Sequence, residues 1–284
     1  MKNSLWFTVL VAALVSGLVH MLWPSNGQTH AEETAFARVM RTGTLRCGYI
    51  NWAPGVVKDP NTGQLSGLFY DYALALGKEL AVKVDFVEEV GWGNFQEGLN
   101  AKRYDVLCSG LWQSGQRAVG AMLTQPIAYQ DMKAWARQTE TRFDNADFNI
   151  ANTAQVKFVT IDGDITSAVR KTHFPAAGEV ALPPLMADSA QMLDHVTTRK
   201  ADMAFTDSYV AGQYNLNNPD KLLKPVFGGK PLVTFANVFA VRHGEHDLLA
   251  ALNSTMNALD LQGVRTRVVQ PYVPAYTPEP TAKP

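Results

Sequence analysis

The chain has 284 residues, 46% hydrophobic and 18% charged, with a formal net charge of −1. That balance is globular and long enough for one large domain or two of ordinary size. Nothing in it suggests nucleic-acid binding, since it carries no basic stripe with interleaved aromatics.

The N-terminus carries an export pattern. Lys2 precedes a nearly unbroken apolar stretch over 5–22, Pro24-Ser25-Asn26-Gly27 interrupts it, and Thr29-His30-Ala31 offers a small-residue cleavage signal. This order is that of a secretory signal over residues 1–31. An uncleaved anchor is the competing reading, because the apolar stretch is near spanning length. Either one places the remainder outside the cytoplasm.

From residue 45 onward, short apolar strands alternate with helical patterns. Strands at 45–49, 82–87 and from Asp105 interleave with helices at 70–79 and near 95–101. That is the βαβ rhythm of a parallel sheet with helices on both faces. The chain leaves this first unit near 133–137. A second unit starts at 155–161 and continues as a helix at 189–198 and a strand at 202–206. Residues 235–241 form a strand that returns to the first unit. Residues 247–261 carry leucine and methionine at helical spacing, and Gln262-Gly263 ends that helix. The proline-rich residues 271–284 are expected to be a loose extension.

Two segments carry chemistry. Residues 105–117 read DVLCSGLWQSGQR: an apolar strand ending in Ser109-Gly110, with Arg117 in the polar loop beyond. Gly110 and Gly115 allow backbone N–H groups to approach closely, and the Arg117 fork matches a carboxylate. The alternative is an ordinary strand end with a solvated arginine. Residues 200–207, KADMAFTD, repeat the plan but end in a carboxylate, Asp207. Ligands of open α/β sheets bind beyond the carboxyl ends of strands. A cation and an anion on opposite walls make a pocket for a small zwitterion.

Residues 42–48 (TGTLRCG), 59–71 (DPNTGQLSGLFYD), 92–99, 105–117 and 202–207 follow one another in an order and spacing that resembles the bacterial periplasmic solute-binding proteins of the amino-acid ABC transporter type. The resemblance runs from about residue 36 to 272. It implies an α/β fold of two lobes, the type 2 periplasmic-binding-protein architecture. Each lobe is then a mostly parallel sheet flanked by helices, with two hinge crossovers between them. Lobe 1 would comprise 36–136 and, after the return, 234–270; lobe 2 would comprise 137–233. The implied protein is a monomeric, non-enzymatic periplasmic receptor. It closes on an amino acid or related amine and delivers it to a membrane ABC permease, without cofactor or metal.

The resemblance also implies site roles. Arg117 would bind the ligand carboxylate and Asp207 its ammonium, while Ser109 and Gly110 supply hydroxyl and main-chain hydrogen bonds. Trp52 would stack on the ligand and Trp92 would form the apolar wall. Core packing is the competing reading for both, and the preferred one for Trp135. Two positions depart from the family pattern. Trp112 stands where a Ser or Thr is usual, and the lobe 2 loop reads Gly163-Asp164-Ile165-Thr166 instead of Gly-Thr-Thr. Trp52, Trp92 and Trp112 with Asp164 and Asp207 would suit a cationic amine through cation–π contacts and counter-charge. Thr166 remains a candidate ligand contact.

Two readings from other classes compete. One is a periplasmic enzyme on the same scaffold, such as a dehydratase of a small carboxylate, with Asp164 or Asp207 as acid or base. The other is a sensory ligand-binding module. The strands bearing Cys47 and Cys108 are neighbours if the resemblance holds. An oxidising compartment permits a bond, but the geometry is demanding, so two buried free thiols are expected. His243-Gly244-Glu245-His246 lacks the two-histidine, one-turn spacing of a zinc helix and reads as a capping turn.

Overall fold

The computed structural model describes residues 33–280, apart from 93, 146, 163–164, 184–188 and 274. The export signal and Asp164 lie outside the described residues. Among the described residues, no helix is long and apolar enough to cross a membrane.

The first unit opens with α1 (Ala35–Thr42) and β1 (Thr44–Tyr49), then a short hairpin of β2 (Val57–Lys58) and β3 (Leu65–Ser66). It continues as α2 (Leu68–Glu79), β4 (Lys83–Glu89), α3 (Phe95–Asn100), β5 (Val106–Trp112), α4 (Gly115–Gly120), β6 (Met122–Leu123) and the long β7 (Ala128–Arg137). The second comprises β8 (Lys157–Ile161), α5 (Ile165–His173), β9 (Gly178–Leu182), α6 (Ser189–Thr197), β10 (Met203–Thr206), α7 (Ser208–Asn217) and β11 (Leu223–Pro225). The chain returns along β12 (Val233–Val241) into α8 (His246–Leu261) and α9 (Val264–Val269).

Among the described residues, ten strands form one sheet, in the main order β4-β1-β5-β12-β7-β10-β8-β9. The triplet β4-β1-β5 is parallel, as is β10-β8-β9, and helices cover both faces as the βαβ rhythm requires. The two long strands join the triplets. Val233–Asn237 of β12 pairs antiparallel with Ala128–Met132 of β7. Beyond that shared stretch, β12 pairs with β5, while β7 pairs with β10. These are the two hinge crossovers.

Each half has its own core. In the first, Phe69, Tyr72 and Leu76 of α2 pack with Phe239, Leu252 and Met256 on one face of the sheet. Phe95, Leu99, Tyr104 and Leu111 fill the other. In the second, Phe158, Phe174, Phe205 and Phe227 cluster on one face, and Trp135 packs with Leu193, Val196 and Tyr214 on the other. Trp135 is a core residue, its indole donating to the Thr206 carbonyl at 3.1 Å.

Three expectations are corrected. The strand from Asp105 does not end at Ser109-Gly110 but runs on to Trp112. Leu111 is buried, and Trp112 and Leu111 pair with Asn237 and Val238, so the β12 ladder carries the strand forward. Cys47 and Cys108 are not free thiols but a disulfide, with a Cα–Cα distance of 5.5 Å. Cys47 pairs with Val106, so Cys108 stands two residues along on the same face, within bridging range. The tail is not loose where it is described. Tyr276 is buried in the first core, and Thr277 exchanges backbone hydrogen bonds with Tyr129 at 2.7 and 2.8 Å.

Candidate functional site

Four of the sequence-predicted residues come together at the carboxyl ends of β1, β4 and β5. Trp52 follows β1, and its ring centroid lies 6.1 Å from that of Trp92, edge to face. Trp92 follows β4 and is 40% exposed, enough to meet a ligand. The guanidinium of Arg117 sits 5.7 Å from the Trp92 centroid, a cation–π distance. Arg117 lies in α4, where Ser114 caps the helix by accepting from the Arg117 N–H. Its Nη1 donates to the Trp112 carbonyl at 2.8 Å. That bond aims the guanidinium along the strand end. The Trp112 ring stacks on Phe235 with centroids 4.5 Å apart, and its Nε1 donates to Gln130 Oε1 at 2.7 Å.

Ser109, Gly110 and Thr166 have local tasks. The buried Ser109 hydroxyl accepts from the Ile50 N–H at 2.8 Å and donates to the Ile50 carbonyl at 3.4 Å, tying β5 to the end of β1. A Cβ at Gly110 would lie 2.0 Å from the Phe69 ring, so packing alone already demands glycine there. Thr166 Oγ1 accepts from the Ile161 N–H at 3.0 Å and fastens the start of α5 to β8.

Asp207 stands directly beyond β10, as its strand pattern suggests. It is buried and caps α7, with Oδ1 accepting from the Tyr209 and Val210 N–H groups at 2.9 Å each. Burial pushes its carboxyl above the usual range, against the lowering pull of those N–H groups. Tyr276 lies near enough for the Asp207 charge to add to the burial that raises its phenol.

A cleft of about 460 Å³ opens between Trp52-Ala53 and the helices α6 and α7, lined also by Asp194, Tyr209, Gln213 and Tyr214. It meets the tryptophan–arginine cluster at Trp52 and the Asp207 helix at Tyr209. In its wall, the Tyr214 hydroxyl donates to Asp194 Oδ1 at 2.6 Å. These α6 and α7 residues were not expected from the sequence. Their only signal was position, Tyr209 lying two residues after Asp207. Gln130 and Phe235, which hold the Trp112 ring, lie inside the hinge strands, where the sequence gives no sign of their neighbours.

The chain is similar to known proteins in sequence and fold. The model of a family described as bacterial extracellular solute-binding proteins, family 3, matches residues 45–275. The L-cystine-binding protein TcyA of Bacillus subtilis is 25% identical over 236 residues, 82% of each chain. A probable amino-acid ABC transporter-binding protein of Haemophilus influenzae is 26% identical over 242 residues, covering 84% of this chain and 88% of the other. In fold, the chain is similar to an ancestral amino acid-binding protein that is a precursor of cyclohexadienyl dehydratase. The TM-score is 0.66 at 24% identity, over 84% of this chain and 99% of that one. An ancestral arginine-binding protein bound to arginine gives a TM-score of 0.62 at 21% identity, over 81% and 98%.

Proposed function

Since the chain belongs to the bacterial extracellular solute-binding proteins of family 3, we propose that it is an exported receptor for an amino acid or related amine, working with an ABC permease. The observation that carries this reading is the meeting of Trp52, Trp92 and Arg117 at one strand-end cluster, facing the helix that the buried Asp207 caps across the cleft. Arg117 takes the ligand carboxylate through its fork, and Asp207 takes the ammonium through the oxygen that does not cap α7. Trp52 and Trp92 cover the ligand. The 82% coverage of both chains in the cystine-binding relative supports a whole-protein receptor role.

In this reading lobe 1 is 36–136 with 234–270, and lobe 2 is 137–233. A ligand bridging both binds the closed form better than the open one and shifts the population toward it. The permease then reads the closed surface.

A second reading has its own observation. The raised Asp207 carboxyl is what a general acid requires, and one similar structure is a dehydratase precursor. The helix N–H groups on Asp207 Oδ1 weigh toward the receptor, because they hold that carboxylate in place as a fixed counter-charge.

The test is native mass spectrometry of the chain purified without denaturation, followed by calorimetry with the solute found. The expected result is a bound amino acid or amine, released intact, with affinity lowered by about 2–5 kcal/mol in Arg117→Ala. Conversion of a small carboxylate at the site, with no solute retained, would overturn the receptor in favour of the enzyme.

A further inference from the structure

Among the described residues, both Nδ2 and Oδ1 of Asn237 are buried without a hydrogen-bond partner, and the residue is 1% exposed. A buried amide left unpaired at both ends is disfavoured, and native structures rarely keep one without a use for it. Its position is singular. Asn237 is where β12 changes partner, pairing with Ala128 of β7 on one side and Trp112 of β5 on the other. Directly opposed residues of antiparallel strands share a face, as do residues two apart on one strand. Asn237, Trp112, Phe235 and Gln130 therefore lie on the same face of the hinge.

The same face carries an aromatic stack beside Asn237. Trp112 lies on Phe235, and one hydrogen bond, from its indole to Gln130, holds its polar end. The Trp112 carbonyl is in turn bound by Arg117, so the stack adjoins the site where a ligand carboxylate would sit. Rotation of the Trp112 ring would free the Gln130 Oε1 on the face that carries the Asn237 amide.

We infer that Asn237, on the hinge strand beside the Trp112–Phe235 stack, is a ligand-contacting residue, and that it selects an amino acid whose side chain both donates and accepts, such as a carboxamide. The inference rests on the receptor reading and narrows its ligand class. A neutral partner suits the place, because the aromatic surroundings penalise a buried charge more than a hydrogen-bonded dipole. Asn237 matches a carboxamide group for group, with one donor end and one acceptor end.

The test titrates the wild-type chain and Asn237→Leu with each of the twenty amino acids by calorimetry. The wild type should bind L-glutamine or L-asparagine at least tenfold more tightly than L-leucine. Asn237→Leu should lose at least tenfold toward the amide and little toward leucine, with a ligand-free unfolding midpoint equal to or above that of the wild type. Because a core variant can fail to fold, the wild type is also followed by NMR. The Asn237 side-chain amide and the Trp112 indole resonances should both move on binding. A wild-type chain that binds no amino acid overturns the receptor reading, and this inference with it. A wild type that binds one with the Asn237 amide resonance unmoved, or with leucine equal to glutamine, overturns this inference alone.

Discussion

One oxygen of Asp207 is committed to the fold, since Oδ1 caps α7. A bonded N-cap contributes about 0.5–2 kcal/mol, so truncation to alanine would mix folding with binding. Asp207→Asn keeps a capping oxygen and removes the charge alone. Toward an amine-bearing ligand it should weaken binding at least about tenfold by calorimetry, because charge-assisted hydrogen bonds exceed neutral ones by roughly 1–2 kcal/mol. The pH dependence has a definite sign. Burial raises the Asp207 carboxyl, so as pH falls it takes up a proton before an ordinary carboxylate would, and affinity for an ammonium falls with it. The Asn variant should lack that acid decline. Equal or tighter binding of an amine by Asp207→Asn would remove the ammonium role. The placing of Arg117 and Asp207 beyond strand ends was legible because an apolar strand precedes each, Asp207 immediately and Arg117 within five residues. The surroundings of Gln130 and Asn237 were not legible, because a polar residue inside a strand gives no sign of which neighbours its register will supply.

At the scale of elements, most helices and strands could be read from alternating apolar runs, and the errors came from hydrogen bonds and ladders. Ser109-Gly110 looks like a strand terminator. In the structure the Ile50 backbone takes the serine and the Phe69 ring takes the glycine's missing Cβ, so β5 continues. The disulfide was equally hidden, since it depends on the Cys47–Val106 register. It closes a separation of 61 residues and restrains the unfolded chain by about 4 kcal/mol in the chain-entropy account. Replacing both cysteines by serine should lower denaturant stability by up to that amount, with a steeper slope because the unlinked unfolded chain exposes more surface. A loss below about 1 kcal/mol would mean that the bond hardly constrains the unfolded state. The second unit carries an ionic cluster in which Glu140 and Asp202 both bind Arg142 and Arg137 lies alongside. The Arg142 hydrogen bond first, and its charge with that of Arg137, hold the Glu140 carboxyl at about 2. A depressed carboxyl adds stability that is full above its ordinary value and is lost as pH falls through the depressed one. With Arg142 about half exposed, that contribution is about 1–2 kcal/mol after solvent screening. Glu140→Gln should flatten the acid limb of the stability curve between about pH 4.5 and 2, read by urea unfolding; an unchanged limb would dismiss the cluster as ornament.

For the whole molecule, the decisive feature is that β7 and β12 each belong to both halves. Met132 and Val233 are paired neighbours, so the hundred residues between them leave and re-enter the first half at one point. The second half is thus a closed excursion with its own aromatic core, rather than a partner threaded through the first. In design terms it is a cassette with adjacent ports. A chimaera that exchanges 133–232 for the corresponding stretch of a relative must match the two flanking strand ends and the contact of Tyr209 and Asp207 with Tyr276, while the disulfide of the recipient stays untouched. Specificity on the Asp207 wall could then be transplanted while the Arg117 wall is kept, which offers natural variation a route for changing cargo without rebuilding the carrier.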